Sequence, residues 1–205
     1  MRSSTARSSA KQAVPHESER APFLVPHTRS GTSEERERSF PKAILAGLVG
    51  GLIGTVVMTE FQNAWSRASA TLNRGKEPTG KQGQEQETED ATMKAAAKLA
   101  GLVGKQLSYE QEKKLGPVVD YTFGTLQGGV YGAATELFGV RGGFVPGLSF
   151  GAALFALVDE LSVPALGLSG WPSEYPLSAH LYGLASHLVY GVSTEIARRG
   201  LRAAL

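Results

Sequence analysis

The chain of 205 residues contains no cysteine. This absence excludes disulfide bonds, thiolate catalysis and cysteine-based metal sites. The formal net charge of +2 is small, so the composition indicates no nucleic-acid partner. The N-terminal stretch has no early apolar run, and the sequence therefore predicts no cleavable secretory signal.

The sequence also lacks the common catalytic and cofactor-binding motifs. It has no Walker loop, no dinucleotide fingerprint after a strand, no nucleophile elbow and no zinc-protease motif. Neither a nucleophile–base pair nor a complete set of metal ligands can be recognised. We therefore predict no enzymatic activity, no cofactor and no resident metal ion.

Polar and apolar residues are segregated along the chain. Charges are concentrated in 1–42 and 66–116, whereas other stretches approach or exceed the roughly 20 apolar residues that cross a bilayer. The 25 glycines are typical of membrane helices, because small residues let backbones approach closely. The sequence predicts an all-α integral membrane protein whose four transmembrane helices lie at about 43–63, 117–140, 144–168 and 177–196.

The remaining segments are predicted to lie outside the membrane domain, which covers 43–197. Residues 1–42 are expected to be a disordered polar tail, because their composition cannot bury enough apolar surface to offset the entropy of ordering. Residues 198–205 form a short basic C-terminal tail. The charged loop 66–116 is expected to be extramembrane and to contain short helices.

Capping residues set the expected bounds of those loop helices. Thr88 is a candidate N-cap, and Gly104 is a candidate stop for the first helix. Ser108 and Gln111 have the spacing of a capping box, which predicts a second short helix that ends at Gly116.

An internal repeat relates the two halves of the membrane domain. The pattern Tyr-Gly-x-x-Thr-Glu ends both 117–136 and 176–195, 59 positions apart. With a shift of 100 positions, Gly47-Leu48-x-x-Gly51 matches Gly147-Leu148-x-x-Gly151. Two helices per unit predict two hairpins in parallel orientation, related by an axis along the membrane normal.

Basic residues near the helix ends indicate the orientation. The turn 169–176 has none, whereas the N-terminal flank, Arg141 and the C-terminal arginines lie at the opposite ends of the helices. By the positive-inside rule, both termini are expected to be cytoplasmic.

Ionisable residues are expected to meet at the non-cytoplasmic ends of the helices. The helix ends bring together Glu60, Asp120, Asp159, Glu160 and His180 at one level, and His187 lies about 15 Å into the last helix. Three roles remain open for the histidines: neutral hydrogen-bonded groups, parts of a proton or solute pathway, or ligands of a metal together with Glu160 or Asp159.

Charged residues near the cytoplasmic ends are expected to anchor the helices at the interface. Glu195 can pair with Arg198 and Arg199 at helical spacing, and Glu136 has Arg141 nearby. The Gly-x-x-x-Gly motifs serve packing within the chain or homo-oligomer formation equally well.

Several segments resemble a known family. GLVGGLIGTVVMTEFQ, the Tyr-Gly-x-x-Thr-Glu pattern and DELSVPALGLSGWPSEYPLSAHLYGLASHLVYG are similar to the YagU-type bacterial inner-membrane proteins, over about residues 43–197. The resemblance implies a small multi-span protein of the bacterial inner membrane. It implies no activity and no site residues, because the function of that family is unknown.

Two functional hypotheses follow. One is a transporter- or channel-like role, in which protons or a small solute pass His187 and the acidic cluster. The other is a non-catalytic membrane scaffold or accessory subunit that presents 66–116 to a protein partner. In both cases the lipid bilayer is the first partner.

Overall fold

The first helix, α1 (Ser33–Leu72), is the longest element of the computed structural model, which describes residues 33–72, 81–140 and 143–205. Residues 1–32 of the predicted tail lie outside the described residues. The other helices are α2 (Lys81–Leu102), α3 (Tyr109–Leu137), α4 (Val145–Ala165) and α5 (Leu177–Ala204). The described residues include no strand, which confirms the all-α prediction.

The N-terminal helix begins earlier than its sequence predicts. The first predicted span begins at about residue 43, but α1 already begins at Ser33, inside the segment predicted to be a tail. Glu and Arg are good helix formers, and 34–38 consists of them alone. The 40 residues of α1 span about 60 Å, roughly twice a hydrocarbon core.

The predicted break between the loop and the second span is wrong, because α3 runs without interruption through Pro117. The proline removes the hydrogen bond to the carbonyl of Lys113, which lies at an exposed position. The capping box is confirmed at the start of this helix, where the Ser108 backbone N–H donates to Gln111 Oε1 at 2.8 Å.

Two further boundaries differ from the predictions. α2 begins at Lys81, before the expected cap at Thr88. It ends at Leu102, just before the predicted stop at Gly104, whose φ of 72° favours glycine. α5 continues to Ala204, so the predicted basic tail 198–205 is mostly helical.

α1 lies between α3 and α5, while α4 packs along α5 and α2 packs along α3. Glycines set the close contacts in both hairpins. A Cβ at Gly128 would lie 2.4 Å from the Gly47 carbonyl oxygen, and a Cβ at Gly191 would lie 2.1 Å from that of Gly147. The Gly-x-x-x-Gly motifs therefore pack helices together within the chain.

The interior of the bundle is small and polar, whereas its exterior is large and apolar. The most deeply buried side chains include those of Thr55, Ser186, Thr194 and Glu195. Large apolar side chains lie instead on the outside of each long helix, including Leu45, Leu52, Val56, Val118, Leu126, Val130, Leu148, Leu157, Leu161, Leu177, Leu181 and Ile196. This is the reverse of the usual distribution in water.

Two of the described helices are long and apolar enough to cross a membrane. They are α1 over Ser39–Thr71 and α4 over Val145–Ala165.

Candidate functional site

A cavity of about 450 Å³ lies between α1, α3, α4 and α5, with α2 at one end. Five of the six residues that the sequence assigns to a polar cluster lie in its wall, namely Asp120, Asp159, Glu160, His180 and His187. The cluster therefore surrounds a space large enough for a small molecule, since such sites typically measure about 300–1,000 Å³.

Glu60 does not belong to the cavity. Its side chain is exposed on the outer face of α1, which it shares at helical spacing with Ile53, Val56 and Val57. The inward face of α1 is instead the one with Gly54 and Thr55. Glu60 lies at the predicted height along the helix axis, since its neighbours Met58 and Gln62 are in the cavity wall. Its side chain points away from the other residues of the polar cluster, because it lies on the opposite face of α1.

His180 and Glu160 share a proton at one end of the cavity. His180 Nδ1 lies 2.7 Å from Glu160 Oε1, and His180 Nε2 lies 3.0 Å from the Pro172 carbonyl oxygen. The carbonyl only accepts, so Nε2 carries a hydrogen, and the second hydrogen lies between Nδ1 and Glu160.

His187 and Asp159 form a looser pair deeper in the cavity. His187 Nδ1 donates to the Gly183 carbonyl oxygen at 3.0 Å and lies 3.5 Å from Asp159 Oδ2. This hydrogen bond places a hydrogen on Nδ1. The other ring nitrogen, Nε2, can then bind a proton or accept a hydrogen bond. The Asp159 side chain is 41% exposed, so it remains accessible from the cavity.

A wide helical turn brings the two carboxylates of α4 to these histidines. Residues Phe155–Ser162 form a π-helical segment, and Ser162 Oγ donates to the Leu157 carbonyl oxygen at 2.6 Å. Pro164 lies just after this segment. It has no N–H to donate to the Glu160 carbonyl oxygen, and its ring crowds that oxygen. The wider π-helical turn relieves this crowding. Pro164 is the signal in the sequence for an irregular end of this helix, although it does not specify a π-helical segment.

Three aromatic side chains pack together on the side of the cavity that faces the chain termini, and one of them, Tyr190, is part of its wall. Tyr131 of α3 and Phe150 of α4 stack with ring centroids 4.3 Å apart, and Phe150 lies 5.9 Å from the ring of Tyr190 of α5. Tyr190 Oη also donates to the Gly124 carbonyl oxygen at 2.6 Å. We call Tyr131, Phe150 and Tyr190 the aromatic layer.

A buried ion pair lies next to the aromatic layer. Arg198 donates to Glu195 through two hydrogen bonds of 2.8 and 3.0 Å, and its guanidinium lies 5.7 Å from the ring centroid of Tyr131. The side chains are 8% and 2% exposed. The pairing follows the predicted spacing, but the pair lies inside the bundle rather than at the surface, and Arg199 is exposed and outside it.

A second ion pair connects the ends of α1, α3 and α5. Arg202 donates to Glu136 at 3.1 Å and to Ser39 Oγ at 2.5 Å, and Ser39 Oγ donates to Glu136. Glu136 thus has an anchoring partner in Arg202. The predicted partner, Arg141, lies outside the described residues.

α2 covers the opposite end of the cavity. Ala91, Thr92 and Ala95 contribute to the wall, and Lys98 Nζ donates to the Leu166 carbonyl oxygen at the end of α4. The helix α2 of the loop 66–116 therefore contributes to the site.

The ionisable groups are not arranged for metal binding. The described ranges contain no group of three His, Asp or Glu side chains positioned to hold a metal ion. The geometry instead supports proton exchange between paired groups and binding of a ligand in the cavity. Comparisons with protein-family models, curated proteins and solved structures found no match to the chain.

Proposed function

We propose that the chain is an integral membrane protein with four transmembrane helices, α1, α3, α4 and α5. The reversed distribution of side chains supports this proposal. Lipid is a favourable environment for the exposed Leu, Val and Ile side chains, whereas water is not. The buried Glu195–Arg198 pair is consistent with it, because charged groups within membranes face the interior of a bundle and pair with one another.

The proposed crossings include α3 and α5, although these helices are less apolar on average than α1 and α4. Their polar and small residues face inward, while Leu126 and Val130 of α3 and Leu181 of α5 face outward. Both helices lie along α1, which is apolar enough to cross. With four crossings, both termini lie on the same side, which we assign to the cytoplasm.

The contacts within the two hairpins support an origin by duplication. Gly47 of α1 approaches Gly132 of α3, as Gly147 of α4 approaches Gly191 of α5. Likewise, Gly51 approaches Gly128, and Gly151 approaches His187, the repeat counterpart of Gly128. The resemblance to YagU-type proteins, and with it a bacterial inner-membrane location, is part of the same proposal.

Within this framework we infer a transporter- or channel-like role for protons or a small solute. The observation that carries it is the cavity, which holds two His–carboxylate pairs and is bounded toward the termini by Tyr190 of the aromatic layer. The Glu195–Arg198 pair lies beyond that layer. Paired ionisable groups on both sides of an aromatic layer are the arrangement expected of a gated pathway.

Differences between the repeat copies account for the cavity. Gly50 and Gly54 let α1 approach α5, where added Cβ atoms would lie 2.8 Å from the Thr194 carbonyl oxygen and 2.2 Å from Thr194 Oγ1. At the equivalent positions α4 has Phe150 and Leu154, which hold it away from α3. The space that results is the cavity, and Leu154 is part of its wall.

Proton flux into reconstituted vesicles tests this role. Vesicles that enclose a pH-sensitive dye are given a potassium diffusion potential, and the protein is expected to accelerate acidification above the protein-free rate. The double variant His187→Ala with Glu160→Gln is expected to fall to the protein-free rate, because it removes a member of each pair. Glu60→Gln is the matched control, since that carboxyl lies outside the cavity. Flux that is unchanged in the double variant would contradict the proposal.

A scaffold role is the second candidate, and an exposed apolar patch at the end of α2 favours it. Leu99, Leu102 and Val103 are 56%, 84% and 72% exposed. A protein partner or the membrane surface could cover this patch. A stoichiometric partner that co-purifies with the full chain and is lost from the Leu102→Ser, Val103→Ser variant would favour the scaffold role over transport.

A further inference from the structure

The wall of the cavity contains more carboxyl groups than basic partners for them. The described part of the chain places no Lys or Arg in that wall, although three carboxyl groups lie there. Glu160 is hydrogen-bonded to His180. Asp159 has only the loose contact with His187, and no described cationic side chain forms an ion pair with Asp120. A positive charge inside the cavity would be attracted to both aspartates.

Much of the rest of the wall is apolar or aromatic. Phe123, Phe155, Tyr182 and Tyr190 contribute rings, and Leu154 and Leu166 contribute aliphatic surface. Aromatic faces attract cations, and apolar walls favour a ligand with an apolar body over a hydrated inorganic ion.

Ser186 adds an independent indication of a ligand. It lies in the cavity wall, its residue is 1% exposed, and its hydroxyl has no hydrogen-bond partner among the described residues. Buried hydroxyl groups nearly always have a hydrogen-bond partner. We therefore expect a molecule bound in the cavity to supply the partner of the Ser186 hydroxyl. A ligand N–H could donate to the Ser186 oxygen, which distinguishes a protonated amine from a quaternary ammonium ion.

We propose that the cavity binds a protonated organic amine with an apolar body, held by Asp120, Asp159 and Ser186. The ammonium group lies between the two aspartates and donates to Ser186, while the apolar body contacts the aromatic walls. This inference rests on the proposed membrane bundle and specifies the solute class of the proposed pathway.

The test is isothermal titration calorimetry of the detergent-solubilised full chain with phenylbutylammonium. Phenylbutanol and phenylbutanoate are matched probes with neutral and negative heads. We expect the ammonium to bind at least about tenfold more tightly than either, because only it pairs with the aspartates. Equal binding of all three probes, or tighter binding of phenylbutanoate, would overturn the inference.

Variants locate the site. Asp159→Asn is expected to weaken ammonium binding by about tenfold or more, while Glu60→Gln leaves it unchanged. Ser186→Ala is expected to weaken binding of phenylbutylammonium but not of its trimethylammonium analogue, which has no N–H to donate. Asp120→Asn replaces Asp159→Asn if that variant does not fold. Unchanged binding in a folded aspartate variant would overturn the inference.

The two proposals can fail separately. If proton flux depends on His187 and Glu160 but the ammonium does not bind, the proposed pathway is supported and the proposed amine ligand is contradicted. If the ammonium binds but no proton flux is observed, the amine-binding site is supported and the transport role is contradicted.

Discussion

Replacing Gly191 by alanine is expected to cause a large loss of stability. The added methyl group would lie 2.1 Å from the Gly147 carbonyl oxygen and 2.8 Å from the Gly151 backbone nitrogen. Both neighbours are backbone atoms of α4, so no side-chain rotation relieves the overlap and the two helices must separate. We expect a loss of about 3 kcal/mol, the upper end for overpacking, and a melting temperature about 6–12 °C lower in detergent.

Gly200→Ala is the matched control in the same helix. It has no atom within 4 Å of an added Cβ, and alanine favours helix over glycine by about 1 kcal/mol. Its melting temperature is therefore expected to be equal to or higher than that of the parent chain. A Gly191→Ala variant as stable as Gly200→Ala would show that α4 and α5 are not packed through these glycines.

Removal of one partner from the buried ion pair is the second large effect. Arg198→Met retains much of the apolar stem but leaves the Glu195 carboxylate buried without its partner. Breaking a buried pair in this way costs about 3–5 kcal/mol. The loss is expected to appear in thermal unfolding followed by circular dichroism and in the fraction of monodisperse protein in detergent.

Two further variants separate the missing charge from other effects. Glu195→Gln combined with Arg198→Met removes both charges and is expected to recover most of the lost stability, because no buried charge remains unpaired. Arg199→Met changes the adjacent, exposed residue and is expected to be within about 0.5 kcal/mol of the parent. A double variant as unstable as Arg198→Met would contradict the paired geometry.

The level of the polar cluster could be predicted from sequence, because helix length and rise per residue fix how far along the axis a residue lies. His180 and His187 are seven positions apart and so share a face of α5, and both lie in the cavity wall. Asp120 and Asp159 followed from the ends of the neighbouring helices.

The direction of Glu60 could not be predicted in the same way. In a water-soluble protein the apolar face of a helix points inward, but α1 is apolar on its outer face and lined with glycine on its inner one. Hydrophobic periodicity therefore gives no direction for an acidic residue in such a helix. The positions of Gly47, Gly51 and Gly54 were the better guide.

Burial of Glu195 and Arg198 also required the tertiary structure. Their spacing predicts the pair, but its depth depends on Gly50 of α1 and Gly147 of α4, which let two neighbouring helices approach the pair. The π-helical turn at Phe155–Ser162 relieves the crowding caused by Pro164. Hydrophobic periodicity in the sequence does not reveal such a turn.

Sidedness of labelling tests the four-crossing bundle most directly. The chain has no cysteine, so Ser173→Cys and Ala203→Cys each provide a single reactive thiol, one before α5 and one near its end. In intact cells or sealed vesicles of known orientation, a membrane-impermeant maleimide is expected to label one variant from outside and the other only after permeabilisation. If only α1 and α4 crossed the membrane, both thiols would lie on one side and would react alike, which would contradict the proposed bundle.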